Sequence, residues 1–158
     1  MVEKLADKYR VLLVEDNNDF QQLFRVYASK KNLEVMMASN GKAAVSVLAR
    51  NRFDGIILDY MLPDLTGAEI NMAIRRETAL RLNRKTPVIV VSAVAIPTYK
   101  LEELYQCGIK LFLPKSFGLR ELSVIVETLC FAARARREVQ REKEFSHAVE
   151  PGASQSFA

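Results

Sequence analysis

Several polar side chains that could do chemistry stand directly after short apolar runs of this sequence. One of them, Asp59, follows the run 56–58 and precedes a turn at 63–67, whose Thr66 can cap a helix. A carboxylate in that position is either a cap for a turn or helix, or a nucleophile or metal ligand. The residues that share this placement are Glu15, Asp16, Asp59, Ser92 and Lys115.

Five apolar runs alternate with five stretches of helical periodicity, which predicts a parallel sheet covered by helices on both faces. The predicted strands are 9–14, 33–38, 56–58, 88–91 and 109–113. The predicted fold class is α/β, a flavodoxin-like (βα)5 doubly wound parallel sheet with strand order 2-1-3-4-5 and an extended C-terminal helix. That order places strands one and three side by side, so their carboxyl ends form one crevice.

The predicted crevice gathers three carboxylates, an amine and a hydroxyl. Glu15 and Asp16 come to lie beside Asp59, with Ser92 and Lys115 at neighbouring strand ends. Three adjacent carboxylates repel one another unless a cation joins them, and oxygen ligands suit Mg²⁺. Metal, ammonium and hydroxyl around a carboxylate nucleophile are the groups that stabilise a phosphoryl group. The alternative is that these are unrelated polar residues that only cap turns or helices. That alternative explains the set poorly, because four strands each end in a residue that suits a phosphoryl site.

The composition limits the class of protein. The chain has 158 residues, of which 49% are hydrophobic and 27% are charged, as expected of one globular domain with a core. We expect an N-terminal lead at 1–8, the domain at 9–130, a charged helical extension or linker at 131–145 and a disordered tail at 146–158. The longest apolar stretch, 88–96, is too short to span a membrane.

The formal net charge of +4 leaves room for nucleic-acid binding, but solvated helix faces explain the basic clusters better. Cys107 and Cys130 have no CxxC spacing and no histidine nearby, which argues against a zinc site or a disulfide. We therefore expect two thiols in a reducing compartment and a cytoplasmic protein. The basic clusters comprise Arg75, Arg76, Arg81, Arg84 and Lys85, and then Arg134, Arg136, Arg137 and Arg141.

Four short motifs, taken in order, resemble the receiver domain of bacterial two-component response regulators, the CheY-like superfamily. They span about 10–129, and the ordered set is specific although each motif alone is weak. The resemblance implies a regulatory domain that accepts a phosphoryl group and catalyses no reaction beyond its own phosphorylation and dephosphorylation. The motifs are Val14-Glu15-Asp16-Asn17, Leu58-Asp59-Tyr60-Met61-Leu62-Pro63 with Gly67, Val91-Ser92-Ala93, and Leu113-Pro114-Lys115.

The resemblance also implies a role for each residue of the crevice. Asp59 accepts the phosphoryl group from a phosphohistidine on a sensor histidine kinase or a phosphotransfer protein. Asp16 and Asp59 bind Mg²⁺, together with the backbone carbonyl of Met61 and, through water, Glu15. Lys115 pairs with the phosphoryl oxygens.

Phosphorylation, on the same resemblance, changes a partner-binding face. Ser92 moves to hydrogen-bond the phosphoryl group, and Phe112, at the position of the family's switch aromatic, follows it inward. The face formed by the fourth helix, fifth strand and fifth helix then changes its partners, which are a downstream protein effector or a second copy in a homodimer. The alternative function is that of a pseudo-receiver, a protein-binding adaptor that phosphorylation does not regulate.

The sequence departs from the family pattern at three places. Ser116 stands where a proline usually follows the lysine, and a cis bond to a non-proline residue costs about 3–4 kcal/mol, so we expect a trans Lys115–Ser116 bond. Phe112 has no hydroxyl, so a switch at that position works by packing. Met61 and Val94 are apolar, which predicts slow attack by water on the phosphoryl group.

Overall fold

The computed structural model describes residues 7–149, in which five strands alternate with five helices. In chain order the elements are β1 (Tyr9–Val14), α1 (Asn18–Ser29), β2 (Leu33–Ala38), α2 (Gly41–Arg50), β3 (Gly55–Asp59), α3 (Gly67–Arg76), β4 (Val88–Ser92), α4 (Thr98–Gln106), β5 (Leu111–Pro114) and α5 (Leu119–Val149). All neighbouring strands pair in parallel, in the order β2-β1-β3-β4-β5. The predicted fold class and strand order are therefore confirmed.

Two apolar layers cover the two faces of the sheet. Successive residues of β1 alternate between them, so that Leu12 and Val14 lie in one layer and Val11 and Leu13 in the other. The first layer packs α2, α3 and α4 against the sheet, and the second packs α1 and α5. The central strands β3 and β4 are buried at every residue, as the continuous apolar runs predicted.

Side-chain caps fix where the helices begin at the carboxyl edge of the sheet. The side chain of Asn17 accepts a hydrogen bond from the amide of Phe20 at 2.9 Å, which starts α1. Thr66 caps α3 and forms a capping box with Glu69, as the turn sequence predicted for Thr66. Each cap sets the loop that joins a strand end to the next helix, and those loops line the predicted crevice.

The fifth strand begins two residues later than predicted, because the chain after α4 first closes that helix. The amide of Ile109 donates to the carbonyl of Leu104 at 3.2 Å, and Gly108 has a φ of +87°. The amide of Lys110 then donates to the carbonyl of Val88 at 2.7 Å. The strand is consequently Leu111–Pro114 and not 109–113.

The last helix is continuous through the predicted extension. Residues 131–145 are helical, and so are 146–149, which we expected to belong to the tail. The rest of that tail, from 150, and lead residues 1–6 lie outside the described residues. Within 7–149, no helix combines the length and the apolar character needed to cross a membrane.

Asp54, just before β3, attaches the extended helix to the amino-terminal edge of the sheet. Its carboxylate accepts hydrogen bonds from the amide of Arg10 at 2.9 Å and from Arg134 at 2.7 Å, and it also pairs with Arg137. Arg134 stacks over the ring of Tyr9, 4.3 Å from its centroid. Burial opposes the charge of Asp54, but the hydrogen bonds from Arg134 and Arg10 outweigh it and hold the pKa of Asp54 below its usual value.

Replacing Asp54 by Asn is expected to lower the free energy of unfolding by about 2–4 kcal/mol at neutral pH, because two guanidinium groups lose their carboxylate. Since the folded-state pKa of Asp54 is lowered, this contribution is present above the unfolded-state pKa of about 3.9 and is lost as the pH falls through the folded-state value. Urea unfolding of both proteins over a pH series measures the difference.

The matched control is Glu34→Gln, an exposed carboxylate on β2, which should change the free energy of unfolding by less than about 0.5 kcal/mol. A loss for Asp54→Asn that is no larger than for this control would contradict the assigned role. So would a difference between the parent and Asp54→Asn that stays constant as the solution becomes acidic.

Candidate functional site

Strand β3 carries Asp59 to the carboxyl edge of the sheet, where the side chain is almost fully buried at 4% exposure. The amide of Met61 donates to Oδ1 of Asp59 at 3.3 Å, and the amide of Gly67 donates to the carbonyl of Tyr60 at 3.0 Å. Gly67 begins α3 so close to the strand that an added Cβ would lie 2.6 Å from the carbonyl oxygen of Asp59. The loop 59–67 is thus folded tightly around the carboxylate.

The other two predicted acids stand beside Asp59, because β1 and β3 are neighbours in the sheet. One carboxylate oxygen from each of Glu15, Asp16 and Asp59 lies within 4.8 Å of the others. Glu15 is fully buried, whereas Asp16 is exposed at the mouth of the crevice. The structure therefore brings together the three carboxylates that the sequence analysis placed in one crevice.

Lys115 reaches this cluster from the end of β5. Its Nζ lies 2.7 Å from Oε2 of Glu15 and 3.2 Å from Oδ2 of Asp59, and it stands 4.9 Å from the centroid of the Phe20 ring. Burial raises the pKa of Glu15, although contacts with Lys115 and with the amide of Asn17 oppose the rise. Burial opposes the charge of Lys115, but its contacts with Glu15 and Asp59 prevail and raise the pKa of its amine.

The peptide bond after Lys115 is trans, as expected, since no cis bond occurs within residues 7–149. Residues Lys115–Phe117 form a single 3₁₀ turn, in which Ser116 is exposed to solvent. The amine of Lys115 nevertheless contacts both buried carboxylates. A serine in place of the proline is therefore compatible with this position of the lysine.

Ser92 lies at the end of β4 but is engaged with its own loop. Its hydroxyl donates to the carbonyl of Val94 at 2.8 Å and accepts from the amide of Val94 at 3.1 Å. Phe112 is half-buried against the layer formed with α2, α3 and α4, and its amide donates to the hydroxyl of Tyr105 at 3.2 Å. Among the described residues, neither the Ser92 hydroxyl nor the Phe112 amide forms a hydrogen bond with the carboxylate cluster in this conformation.

Sequence reasoning missed Gln21, which supports the acids from α1. Gln21 is only 7% exposed, and its Nε2 donates to the carbonyl of Glu15 at 2.5 Å and to Oγ of Ser39 at 3.3 Å. The available signal was its helical spacing with Phe24 and Ala28, which form the buried stripe of α1. A polar residue on a buried stripe requires a partner, and here the partner is the backbone beside the site.

The oxygen donors of the crevice fit a small, hard cation. An octahedral site with metal–oxygen distances of about 2.1 Å separates its ligands by about 3.0 Å when adjacent and about 4.2 Å when opposite. The three carboxylate oxygens, all within 4.8 Å of one another, are near enough to share such a cation. Oε2 of Glu15 is buried and has no hydrogen-bond donor among the described residues, only the ion-pair contact with Lys115. Three carboxylates and one ammonium carry a net negative charge, which a divalent cation would offset. The arrangement therefore suits Mg²⁺.

Two glycines at helix starts give a matched test of the tight loop. Gly67→Ala is expected to lower the free energy of unfolding by about 1–3 kcal/mol, because its Cβ would meet the backbone of Asp59, which cannot move away. Gly41→Ala should cost a similar amount, because its Cβ would lie 2.7 Å from Cβ of Leu65, an atom of the same loop that is fixed to the backbone. Urea unfolding measures both, and a loss below about 0.5 kcal/mol for Gly67→Ala would refute this account.

Comparisons with known proteins address the fold and the family. The transcriptional regulatory protein SrrA of Staphylococcus aureus is 27% identical over 140 residues, which are 89% of this chain and 55% of that protein. The chain thus spans about half the length of that relative. The signal receiver domain of a Luxo repressor protein from Vibrio parahaemolyticus is 26% identical, with a TM-score of 0.74, covering 84% of this chain and 97% of that one.

A further solved structure is the receiver domain of the sensor histidine kinase PA1611 from Pseudomonas aeruginosa, which has a magnesium ion coordinated in its active site cleft. It is 29% identical, with a TM-score of 0.66, and the match covers 78% of this chain and 98% of that one. The sequence model of the response regulator receiver domain matches residues 11–127, most of the chain. The chain therefore belongs to the receiver domain family of two-component response regulators.

Proposed function

We propose that this receiver domain is a phosphorelay signalling switch that accepts a phosphoryl group on Asp59. The observation that carries the proposal is the ammonium of Lys115, 3.2 Å from the Asp59 carboxylate within a cluster of three acids. The donor is a phosphohistidine on a sensor histidine kinase or a phosphotransfer protein. A carboxylate oxygen of Asp59 attacks phosphorus, the P–N bond to the imidazole breaks, and its electron pair stays on the nitrogen.

The proposed ligands of Mg²⁺ are Asp16, Asp59, the backbone carbonyl of Met61 and, through water, Glu15. Bound Mg²⁺ supplies positive charge to the phosphoryl oxygens. Lys115 supplies a second, fixed positive charge, because its contacts with Glu15 and Asp59 hold the amine at the nucleophile. The buried setting strengthens these interactions relative to those in water.

Ser92 and Phe112 are the proposed switch residues. To reach a phosphoryl group, the Ser92 hydroxyl exchanges its two hydrogen bonds with Val94 for bonds to the new oxygens. The Phe112 ring then moves inward by packing alone, and the hydrogen bond from its amide to Tyr105 links that movement to α4. The phosphoryl group adds a charge of about −1.5 to −2, which supplies the bias between the two arrangements.

The α4-β5-α5 face is the proposed output surface. It already exposes large apolar side chains, and a face of that kind suits a protein partner. Its occupant is a downstream protein effector or a second copy of the chain in a homodimer. The exposed side chains on or beside this face are Tyr99, Tyr105, Phe117 and Val124.

A cytoplasmic location is part of the same proposal. Cys107 and Cys130 are both free thiols, which is usual in a reducing compartment. Burial also raises the pKa of Cys130 to about 12, so that this thiol stays protonated and unreactive.

The phosphorylation site is tested by intact mass after incubation with a small-molecule phosphodonor. The parent chain should gain one phosphoryl group, and the gain should require Mg²⁺, because the crevice carboxylates repel an anionic donor without it. Asp59→Asn should gain none. Asp19→Asn, an exposed carboxylate on α1, is the matched control and should behave like the parent.

The outcomes separate the proposed switch from its alternatives. No adduct on the parent, with the fold intact and no Mg²⁺ binding, would favour a protein-binding adaptor that phosphorylation does not regulate. An adduct that persists in Asp59→Asn would mean that another residue is the nucleophile.

The lifetime of the phosphoryl group depends on the side chains that flank Asp59. Met61 and Val94, whose amides donate to Asp59 and Ser92, are 58% and 55% exposed, so apolar side chains flank the crevice on its solvent side. Met61→Asn is expected to speed dephosphorylation several-fold, because an amide can orient the attacking water. Loss of the mass adduct over time measures the rate. Met72→Asn on α3 is the control and should leave the rate unchanged. A dephosphorylation rate that is also unchanged in Met61→Asn would show that Met61 does not limit attack by water.

A further inference from the structure

Residues from both basic clusters of the sequence line one groove of the folded chain. The groove lies between the amino-terminal edge of the sheet and the part of α5 beyond Cys130, and it encloses about 1550 Å³. Pockets for small molecules usually enclose about 300–1,000 Å³, so this groove suits a segment of a macromolecule. Arg134, Arg136, Arg137 and Arg141 line the helix wall. The facing wall carries Lys8, Arg10, Arg52, Arg75, Lys85 and Lys110.

Most of this positive charge forms no ion pair with a carboxylate of residues 7–149. Within residues 7–149, the only basic side chains in ion pairs are Lys115, Arg134 and Arg137. The remaining eight cations of the groove face four carboxylates, which leaves an excess of four positive charges (eight minus four). Counted with Arg134 and Arg137, the lining has an excess of six positive charges (ten minus four), more than the +4 formal net charge of the whole sequence.

One of these cations is held rigidly without a carboxylate. The guanidinium of Arg75 donates to the backbone carbonyls of Thr86 at 3.2 Å and Gly108 at 3.0 Å, and also to that of Arg84. Its buried Nε has no acceptor among the described residues. A fixed, uncompensated guanidinium at the rim of a cationic groove favours an anionic ligand.

The groove also presents an aromatic face to solvent. Phe131 lines the helix wall and is 63% exposed. Proteins that bind single-stranded nucleic acids combine a cationic groove, which follows the phosphates, with exposed aromatic rings on which bases stack. We propose that this groove binds single-stranded nucleic acid, with its phosphates on the two arginine and lysine walls and a base on Phe131. None of the groove residues belongs to the Asp59 crevice, so this binding does not require phosphorylation at Asp59.

The test measures binding of the full chain to a fluorescent single-stranded oligonucleotide of about 20 nucleotides, by anisotropy over a salt series. Each phosphate contact contributes about 0.7 to the slope of log K against log salt. The double variant Arg136→Gln with Arg141→Gln should therefore lower the slope by about 1.4 and weaken binding several-fold at low salt. Both side chains are exposed and outside any ion pair of the described residues, so the fold should be retained.

Two further variants separate this site from a diffuse charge effect. Arg25→Gln with Arg120→Gln removes the same charge from exposed positions outside the groove and should leave both the affinity and the slope unchanged. Phe131→Ala should raise the Kd by about fivefold or more without changing the slope, because stacking carries no counterion term.

Several results would overturn the proposal. Absence of binding at low salt would do so, and so would equal losses in the two double variants, since binding would then follow net charge alone. Poly-glutamate that competes as well as unlabelled oligonucleotide would reassign the groove to an acidic protein segment. An unchanged affinity in Phe131→Ala, with a duplex bound as tightly as the single strand, would exclude a site for single strands.

Discussion

The contact of the Lys115 ammonium with two buried carboxylates is the interaction on which the crevice depends. A buried carboxylate costs several kcal/mol unless it is paired and hydrogen-bonded, and Glu15 is fully buried while Asp59 is nearly so. Lys115 follows β5, which is two strands and therefore about 10 Å from β3. Only a long side chain bridges that gap, and the order 2-1-3-4-5 brings the ends of β1, β3 and β5 near enough for it to do so.

The two ends of β3 carry buried carboxylates that differ in the number of positive groups that neutralise them. Asp54, just before the strand, meets two guanidinium groups and a backbone amide, so its charge is fully compensated and attaches α5 to the sheet. Asp59, at the other end, shares one ammonium with two further acids. Its cluster therefore keeps an excess of negative charge, which favours a cation and repels an anionic phosphodonor until that cation is bound. Four buried residues separate this structural carboxylate from Asp59, the proposed phosphoryl acceptor.

The sequence predicted the fold and the members of the crevice because both follow from local patterns. Apolar runs located the strands, the crossover rule limited their order, and that order placed Glu15, Asp16 and Asp59 together. Pairings between side chains far apart in the chain have no such periodicity, so the contact of Asp54 with Arg134 and Arg137 was not foreseen. Gln21 was missed for a related reason, since its partners, the backbone carbonyl of Glu15 and the hydroxyl of Ser39, lie far from it in the sequence pattern.

The amino-terminal groove and the carboxyl crevice lie at opposite edges of the sheet, which limits how one could affect the other. Strand β3 alone separates them by about 17 Å, roughly twice the Debye length of about 8 Å at physiological salt. Screening therefore reduces any direct effect of a phosphoryl charge at Asp59 on the groove cations to a small fraction of its unscreened value. A coupling between the two edges has to be mechanical, and the element that reaches both is α5, which begins beside Lys115 and is attached at Asp54.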